Sequence, residues 1–364
     1  MKPIDYLIVT NDYATSCAGT CPTCVLSKDE RAIKTPFTRA ENIIKGLNAA
    51  GDNYGEIGTL ALGIGRANVL MLPKESVGDI RAIMAAGRNA FNFRDGITEI
   101  TTSLIGKIDP QIERAKKLLD TADNEAFDAR FVVVANTALS SEKYWVNLNT
   151  FLRAMEAHRG GSNIDGNGDI LQLALASETL PDVHELVDRV SEYKFAVNLT
   201  WAPFYDAGIE DEARLEELGN WIAEFYRLTS ERGLDSSLVN RTDMAIAIDE
   251  EPFTHSLARA AESERAVVYI DQDGSWHNGY FTVLAEMDPI RFDPLAAEES
   301  PNSFRRVIFL LKNPACHGCP FHTACISSGA ERIGTMALRK HPRGTHTCPS
   351  GMRRTFEVAS GKPH

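Results

Sequence analysis

Seven cysteines punctuate this chain of 364 residues, and they fall into two groups at its opposite ends. Cys17, Cys21 and Cys24 lie near the start, Cys316, Cys319, Cys325 and Cys348 lie near the end, and no cysteine lies between the two groups. Cysteines that only fill a core would be scattered along the chain, so the segregation points to two built thiol sites. The fold must therefore present thiols together at two places. In a reducing compartment such clusters bind metal or do chemistry more often than they form disulfides.

The rest of the composition sets the compartment and the partners. The opening stretch MKPIDYLIVTNDYATSC has one lysine, a short apolar run and then polar residues, which is not a signal-peptide pattern. The longest apolar run, near Val307–Leu311, ends at Lys312, far short of the roughly 20 residues that span a bilayer. A cytoplasmic protein without a membrane partner is expected. The formal net charge of −12 repels phosphate backbones, so nucleic acid is not an expected partner. With 43% hydrophobic and 24% charged residues, the chain is an ordered globular one, long enough for a large domain and a smaller one.

Hydrophobic patterning predicts strands alternating with helices. Tyr6–Thr10 reads as the first strand. Thr38-x-x-Glu41 is a capping box ahead of a helix with Ile43, Ile44 and Leu47 on one face, ending at Gly51. Further strands are expected at Thr59–Leu62, Ile97–Ile105, Phe131–Val134, Asp169–Ala176 and Phe195–Thr200. Between and after them the spacing predicts helices over Lys74–Ala86, Pro110–Leu119, Trp145–His158, Val183–Ser191 and Glu212–Arg232. The uncharged run Phe131–Val134 has the character of a buried parallel strand. Six βα units of this kind imply a parallel α/β sheet or barrel. Past residue 262 a β-hairpin is expected, with Val267–Ile270 and Ser275–Val283 joined through Gly274, followed by a loop over Pro289–Pro301. The expected division is an α/β domain over 1–245 and a small cysteine-rich domain over 246–364.

The N-terminal cysteines read Cys17-x3-Cys21-x2-Cys24, directly after the first strand. Three thiolates on one loop hold three irons of a cubane and leave the fourth iron open, whereas a closed cluster takes four cysteines. Zinc would need a fourth ligand from elsewhere, since the loop has no histidine. A zinc loop and a disulfide are the alternatives. In spacing and position the motif resembles that of the radical S-adenosylmethionine (SAM) superfamily.

The resemblance implies a partial (β/α)6 TIM-like barrel and a SAM-binding [4Fe–4S] cluster on Cys17, Cys21 and Cys24. It also implies S-adenosyl-L-methionine on the open iron, cleaved reductively to a 5′-deoxyadenosyl radical, and an external electron donor such as flavodoxin or ferredoxin. Two positions depart from the family. Thr23 stands where an aromatic residue is usual, and Gly63-Ile64-Gly65-Arg66 stands where Gly-Gly-Glu-Pro is usual. Gly63 and Gly65 still allow the backbone close to a ligand. Asn136 and Ser140, after the fourth strand, lie at the end of a barrel where ligands bind and are candidates to touch SAM, with a plain N-cap cluster as the other reading.

Near the other end, Cys316-x2-Cys319-x5-Cys325 is followed by Cys348. Four thiolates close a cubane, which suits electron transfer or structural support; a zinc ribbon is the alternative. The stretch CHGCPFHTAC resembles the SPASM extension of radical SAM enzymes. Where that extension has a fourth core cysteine this chain has Gly329, and in the hairpin it has Trp276, His277 and Asn278. The resemblance thus implies one auxiliary [4Fe–4S] cluster, on Cys316, Cys319, Cys325 and Cys348. His317 and His322 lie among these ligands and are read as neighbours.

With all seven cysteines assigned, no thiol remains to return a hydrogen atom to a substrate. Unless a tyrosine returns the hydrogen atom instead, an oxidative reaction is therefore favoured: dehydrogenation or crosslinking of a peptide or protein side chain. The alternative is dehydrogenation of a small metabolite such as an aminocyclitol or sugar. Only sixteen residues precede Cys17, so a leader-binding domain is expected to be a separate protein. No catalytic base stands out. A two-cluster electron carrier or a zinc-stabilised binding protein is the non-enzyme alternative, though neither needs so large a βα domain.

Overall fold

The computed structural model describes residues 4–10, 40–64, 69–71, 76–123, 128–135, 141–159, 169–176, 180–193, 196–202, 212–248, 251–265, 267–270, 273–278, 302–338 and 344–361. In chain order the strands are β1 (Ile4–Thr10), β2 (Glu56–Ile64), β3 (Asn92–Thr102), β4 (Asp128–Ala135), β5 (Ile170–Ala176), β6 (Ala196–Ala202), β7 (Val267–Ile270) and β8 (Trp276–Asn278). The helices are α1 (Ala40–Tyr54), α2 (Ser76–Ala90), α3 (Ile108–Asp123), α4 (Glu142–His158), α5 (Val183–Ser191) and α6 (Glu212–Glu231). They continue with α7 (Ser237–Ala247), α8 (Phe253–Arg265), α9 (Asn302–Leu311), α10 (His322–Ser327), α11 (Ala330–Leu338) and α12 (Arg353–Ser360). The described residues fall into two units. One holds those up to Leu171 and those of Arg265–Gly279, and the other holds those of Gln172–Glu264 and of Tyr280–His364.

In the first unit, parallel pairing joins β1 to β2, β2 to β3 and β3 to β4. In the strand order β5 is the neighbour of β6. The strand order ends at β6 on one side and β8 on the other, so the mostly parallel α/β sheet does not close. The expected strands are all present, most of them longer than their apolar centres. β3 begins at Asn92 and stops at Thr102 instead of reaching Ile105. Leu104 and Gly106 explain the stop, since both have positive φ (51° and 91°), which no strand accommodates.

The β7–β8 hairpin forms as expected, antiparallel, with Ile270 opposite Trp276. Its first strand also pairs in parallel with β1, Leu7 opposite Val268. The hairpin thus extends the sheet that the N-terminal strands begin.

Helix α1 does not end at Gly51. It runs on to Tyr54, and Gly55 closes it with a φ of 63°, its N–H reaching the Gly51 carbonyl at 3.1 Å. Gly51 serves packing: a Cβ there would lie 2.5 Å from the Ala90 carbonyl oxygen of α2. Gly46 does the same against the hairpin, where a Cβ would meet the Gly274 carbonyl oxygen at 2.5 Å. The capping-box Thr38 and the Pro289–Pro301 stretch lie outside the described residues.

Asp169, expected to open the fifth strand, stands just before it as a clamp. Its Oδ1 accepts the Phe131 N–H at 2.8 Å, and Arg159 donates to both carboxylate oxygens at 3.0 and 3.1 Å. The same guanidinium donates to the Ala129 carbonyl at 3.0 Å, fixing the end of α4 to β4.

In the second unit, α6 is the central element, with Leu215, Leu218, Ile222 and Phe225 buried. Helices α7 and α8 were not expected from the sequence. Leu238, Thr242 and Ala245 make a narrow buried stripe on α7, too small to stand out as an apolar face.

Candidate functional site

The C-terminal cysteines converge within the second unit. Cys316 and Cys319 sit in the turn that follows α9. The N–H groups of Cys316 and His317 both reach the Asn313 carbonyl at 3.0 Å, and the Cys319 N–H reaches the Cys316 carbonyl at 3.1 Å. Between them Gly318 takes a φ of 79°, a conformation that glycine adopts without strain. Cys325 is carried on α10, and Cys348 on the segment that leads into α12. All four line one cavity of about 40 Å³. Apolar walls come from Leu310, Phe321, Ile326 and Phe356, with Glu331 and Arg353 also at the lining.

Two residues that the sequence did not single out hold this arrangement. Asn313 is buried; its Nδ2 donates to Cys316 Sγ at 3.6 Å and to Thr345 Oγ1 at 3.3 Å, while its Oδ1 accepts the Thr345 N–H at 2.7 Å. It thereby ties the first cysteine turn to the segment bearing Cys348. Glu212, the first residue of α6, accepts the N–H groups of His346 and Thr347 at 2.9 and 2.8 Å. Burial pulls its carboxyl upward, but the hydrogen bonds from Thr347 and His346 outweigh that and hold it below the usual carboxylate value. His322 is not aimed at a ligand position, since its Nε2 contacts the Cys316 carbonyl oxygen at 2.6 Å and its ring meets Phe253 edge-on.

The electrostatics favour a cationic occupant. Burial pushes the Cys316 thiol up to about 12, and the neighbouring Cys348 and Cys319 add to the shift. Burial likewise raises Cys319, and it raises Cys325 well above the ordinary value, with Cys348 and Glu331 adding to it. Four thiolates in one such place are costly unless a metal compensates their charge. Among the described residues no group of three or more Cys, His, Asp or Glu side chains is arranged to hold a single metal ion. Zinc needs its sulfurs at about 2.3 Å from one point.

Cys17, Cys21, Cys24, Gly65, Asn136 and Ser140 lie outside the described residues. Gly63 lies near the end of β2, beside Ile64, whose Cα partner is Thr10 at the end of β1. The glycine therefore adjoins the strand exit that leads to the N-terminal cysteine motif, on the carboxyl edge where parallel α/β sheets place ligands. In the hairpin, Trp276 packs edge-on against Tyr54 of α1 with ring centroids 5.5 Å apart.

No family model and no curated protein matches the chain. Solved structures do. A histidine-tagged anSMEcpe with bound AdoMet aligns with a TM-score of 0.58 over 99% of this chain and 97% of that one, at 12% identity. "Native anSMEcpe with bound AdoMet and Cp18Cys peptide" aligns with a TM-score of 0.57 over 98% of each chain, at 13% identity. The chain has the anSMEcpe fold. At this identity the likeness is one of architecture, and it extends over essentially the full length of both chains. Among the described residues no helix is long and apolar enough to cross a membrane.

Proposed function

We propose that this chain is a radical SAM enzyme that oxidises a peptide or protein side chain, by dehydrogenation or crosslinking. The observation that carries the reading is the Cys17-x3-Cys21-x2-Cys24 motif, placed after β1 of a mostly parallel α/β sheet whose architecture matches AdoMet-bound anSMEcpe. Residues 1–245 make the partial barrel and 246–364 a SPASM-like domain.

Cys17, Cys21 and Cys24 hold the first [4Fe–4S] cluster and leave one iron open, while Cys316, Cys319, Cys325 and Cys348 hold a second, closed one. With SAM bound, a cluster held by Cys17, Cys21 and Cys24 would supply reductive radical chemistry. Gly63 and Gly65 would let the backbone approach SAM closely, and Asn136 and Ser140 would be the residues to touch it. The apolar walls around the second thiol set limit its access to water. An external donor such as flavodoxin or ferredoxin delivers the electron.

Two features support an oxidative outcome on a peptide. Every cysteine is committed to a cluster, so none is left to return a hydrogen atom. Structures of the same fold carry peptides, among them Kp18Cys and Cp18Cys with anSMEcpe.

Anaerobic reconstitution, iron counting and a SAM-cleavage assay test the proposal. Wild type should bind about eight irons and release 5′-deoxyadenosine under reduction, and a chain with Cys17, Cys21 and Cys24 all changed to Ala should keep about four and release none. Eight irons without deoxyadenosine would make the protein an electron carrier.

A further inference from the structure

We infer that Asn313 is a positioning residue for the C-terminal cluster, setting its reduction potential through a hydrogen bond to the Cys316 sulfur. The inference rests on the proposal that the four C-terminal cysteines hold a [4Fe–4S] cluster.

The Asn313 side chain is buried at 3% exposure, immediately before the Cys316 turn. One amide oxygen accepts from the Thr345 N–H at 2.7 Å, which fixes the amide plane and points the Nδ2 group toward the cavity side. That nitrogen has two acceptors, Cys316 Sγ at 3.6 Å and Thr345 Oγ1 at 3.3 Å. Thr345 Oγ1 passes its own proton to the Thr347 carbonyl at 2.8 Å, so it is left to accept from the amide. The network therefore sets the orientation of Asn313, with a donor on the sulfur. A donor to a ligating thiolate stabilises the more negative, reduced cluster, and so raises its potential. The backbone carbonyl of Asn313 also receives the N–H groups of Cys316 and His317, so the same residue shapes the turn and tunes its sulfur.

The test uses the full-length chain carrying Cys17→Ala, Cys21→Ala and Cys24→Ala, in which only the C-terminal cluster remains. Asn313→Leu, Asn313→Asp and Thr345→Val are added singly. Iron content, the reduction potential by EPR-monitored titration, and the coupling of exchangeable deuterons to the reduced cluster in D₂O are measured for each. Asn313→Leu and Asn313→Asp should hold about four irons, show a more negative potential and lose one coupled deuteron. Thr345→Val removes the hydroxyl but keeps the backbone N–H that holds the Asn313 oxygen, so it should keep the coupled deuteron and shift the potential less than either Asn313 variant. If Asn313→Leu loses its iron through misfolding, Asn313→Asp decides, because its carboxylate still accepts the Thr345 N–H. Asn313 variants with the parent potential and the full set of deuterons would overturn the inference while leaving the cluster in place. A parent chain that binds no iron, or binds zinc, would instead overturn the cluster proposal beneath it.

Discussion

Glu212, at the start of α6, accepts hydrogen bonds from the backbone N–H groups of His346 and Thr347, at 2.9 and 2.8 Å. A single carboxylate thus pins the segment that delivers Cys348. Glu212→Gln should lower stability by about 1 kcal/mol, the scale of a lost partly exposed hydrogen bond. The folded-state pKa is depressed, so this stabilisation is present above the ordinary carboxylate value of 4.5 and is lost as pH falls through the lower folded value. Denaturant unfolding of the two proteins between pH 7 and pH 3 should show the gap closing only at the acid end.

Cys325→Ser separates the two thiol sites. The variant should lose the C-terminal four irons of about eight. It should still release 5′-deoxyadenosine, because Cys17, Cys21 and Cys24 are unchanged, and it should fail to complete oxidation of a substrate. Iron analysis beside deoxyadenosine release checks this, and a variant that loses SAM cleavage along with its iron would contradict the assignment of separate roles.

Asp169→Ala removes a carboxylate that satisfies both Arg159 and the Phe131 N–H. Its side chain is only 6% exposed and that of Arg159 20%, so the variant leaves a half-buried guanidinium and an amide without this partner. A loss of about 3–5 kcal/mol is expected, the range for breaking a buried pair. Chemical denaturation measures it, and a loss below about 1 kcal/mol would show that water readily replaces the carboxylate.

Gly51→Ala and Gly46→Ala test the close packing of α1. Each added methyl would stand 2.5 Å from a carbonyl oxygen, of Ala90 and of Gly274 respectively, and backbone cannot swing aside as a flexible side chain can. Each should cost about 1–3 kcal/mol despite alanine's better helix propensity. Gly78→Ala is the control: a Cβ there meets nothing within 4 Å, so the change should be neutral or stabilising. Denaturant midpoints of the three variants beside wild type measure the difference.

Much of this architecture was readable before any coordinates. β4 is announced by Phe131-Val-Val-Val134, which carries no charge on either face, and α5 matches its expected bounds of Val183–Ser191. These signals are local, in that each follows from the period of a short stretch. The expected end of α1 at Gly51 failed for the opposite reason: that glycine answers to Ala90 on another helix, and the true stop signal is Gly55. Helices α7 and α8 were missed because their buried stripes are short.

The sequence by itself determined that thiols gather at two ends of the chain, with spacings suited to an open and a closed cluster, and that strands and helices alternate between them. The resemblance had already grouped Cys348 with Cys316, Cys319 and Cys325, and tertiary structure supplied the one cavity that all four line. Tertiary structure alone decided that β7 pairs with β1, that Asp169 clamps Arg159, and that Asn313 reaches a cysteine sulfur. Periodicity and spacing report on neighbours along the chain. A hydrogen bond between Glu212 and Thr347 joins residues 135 positions apart, and no local pattern encodes which distant partner a buried polar group will meet.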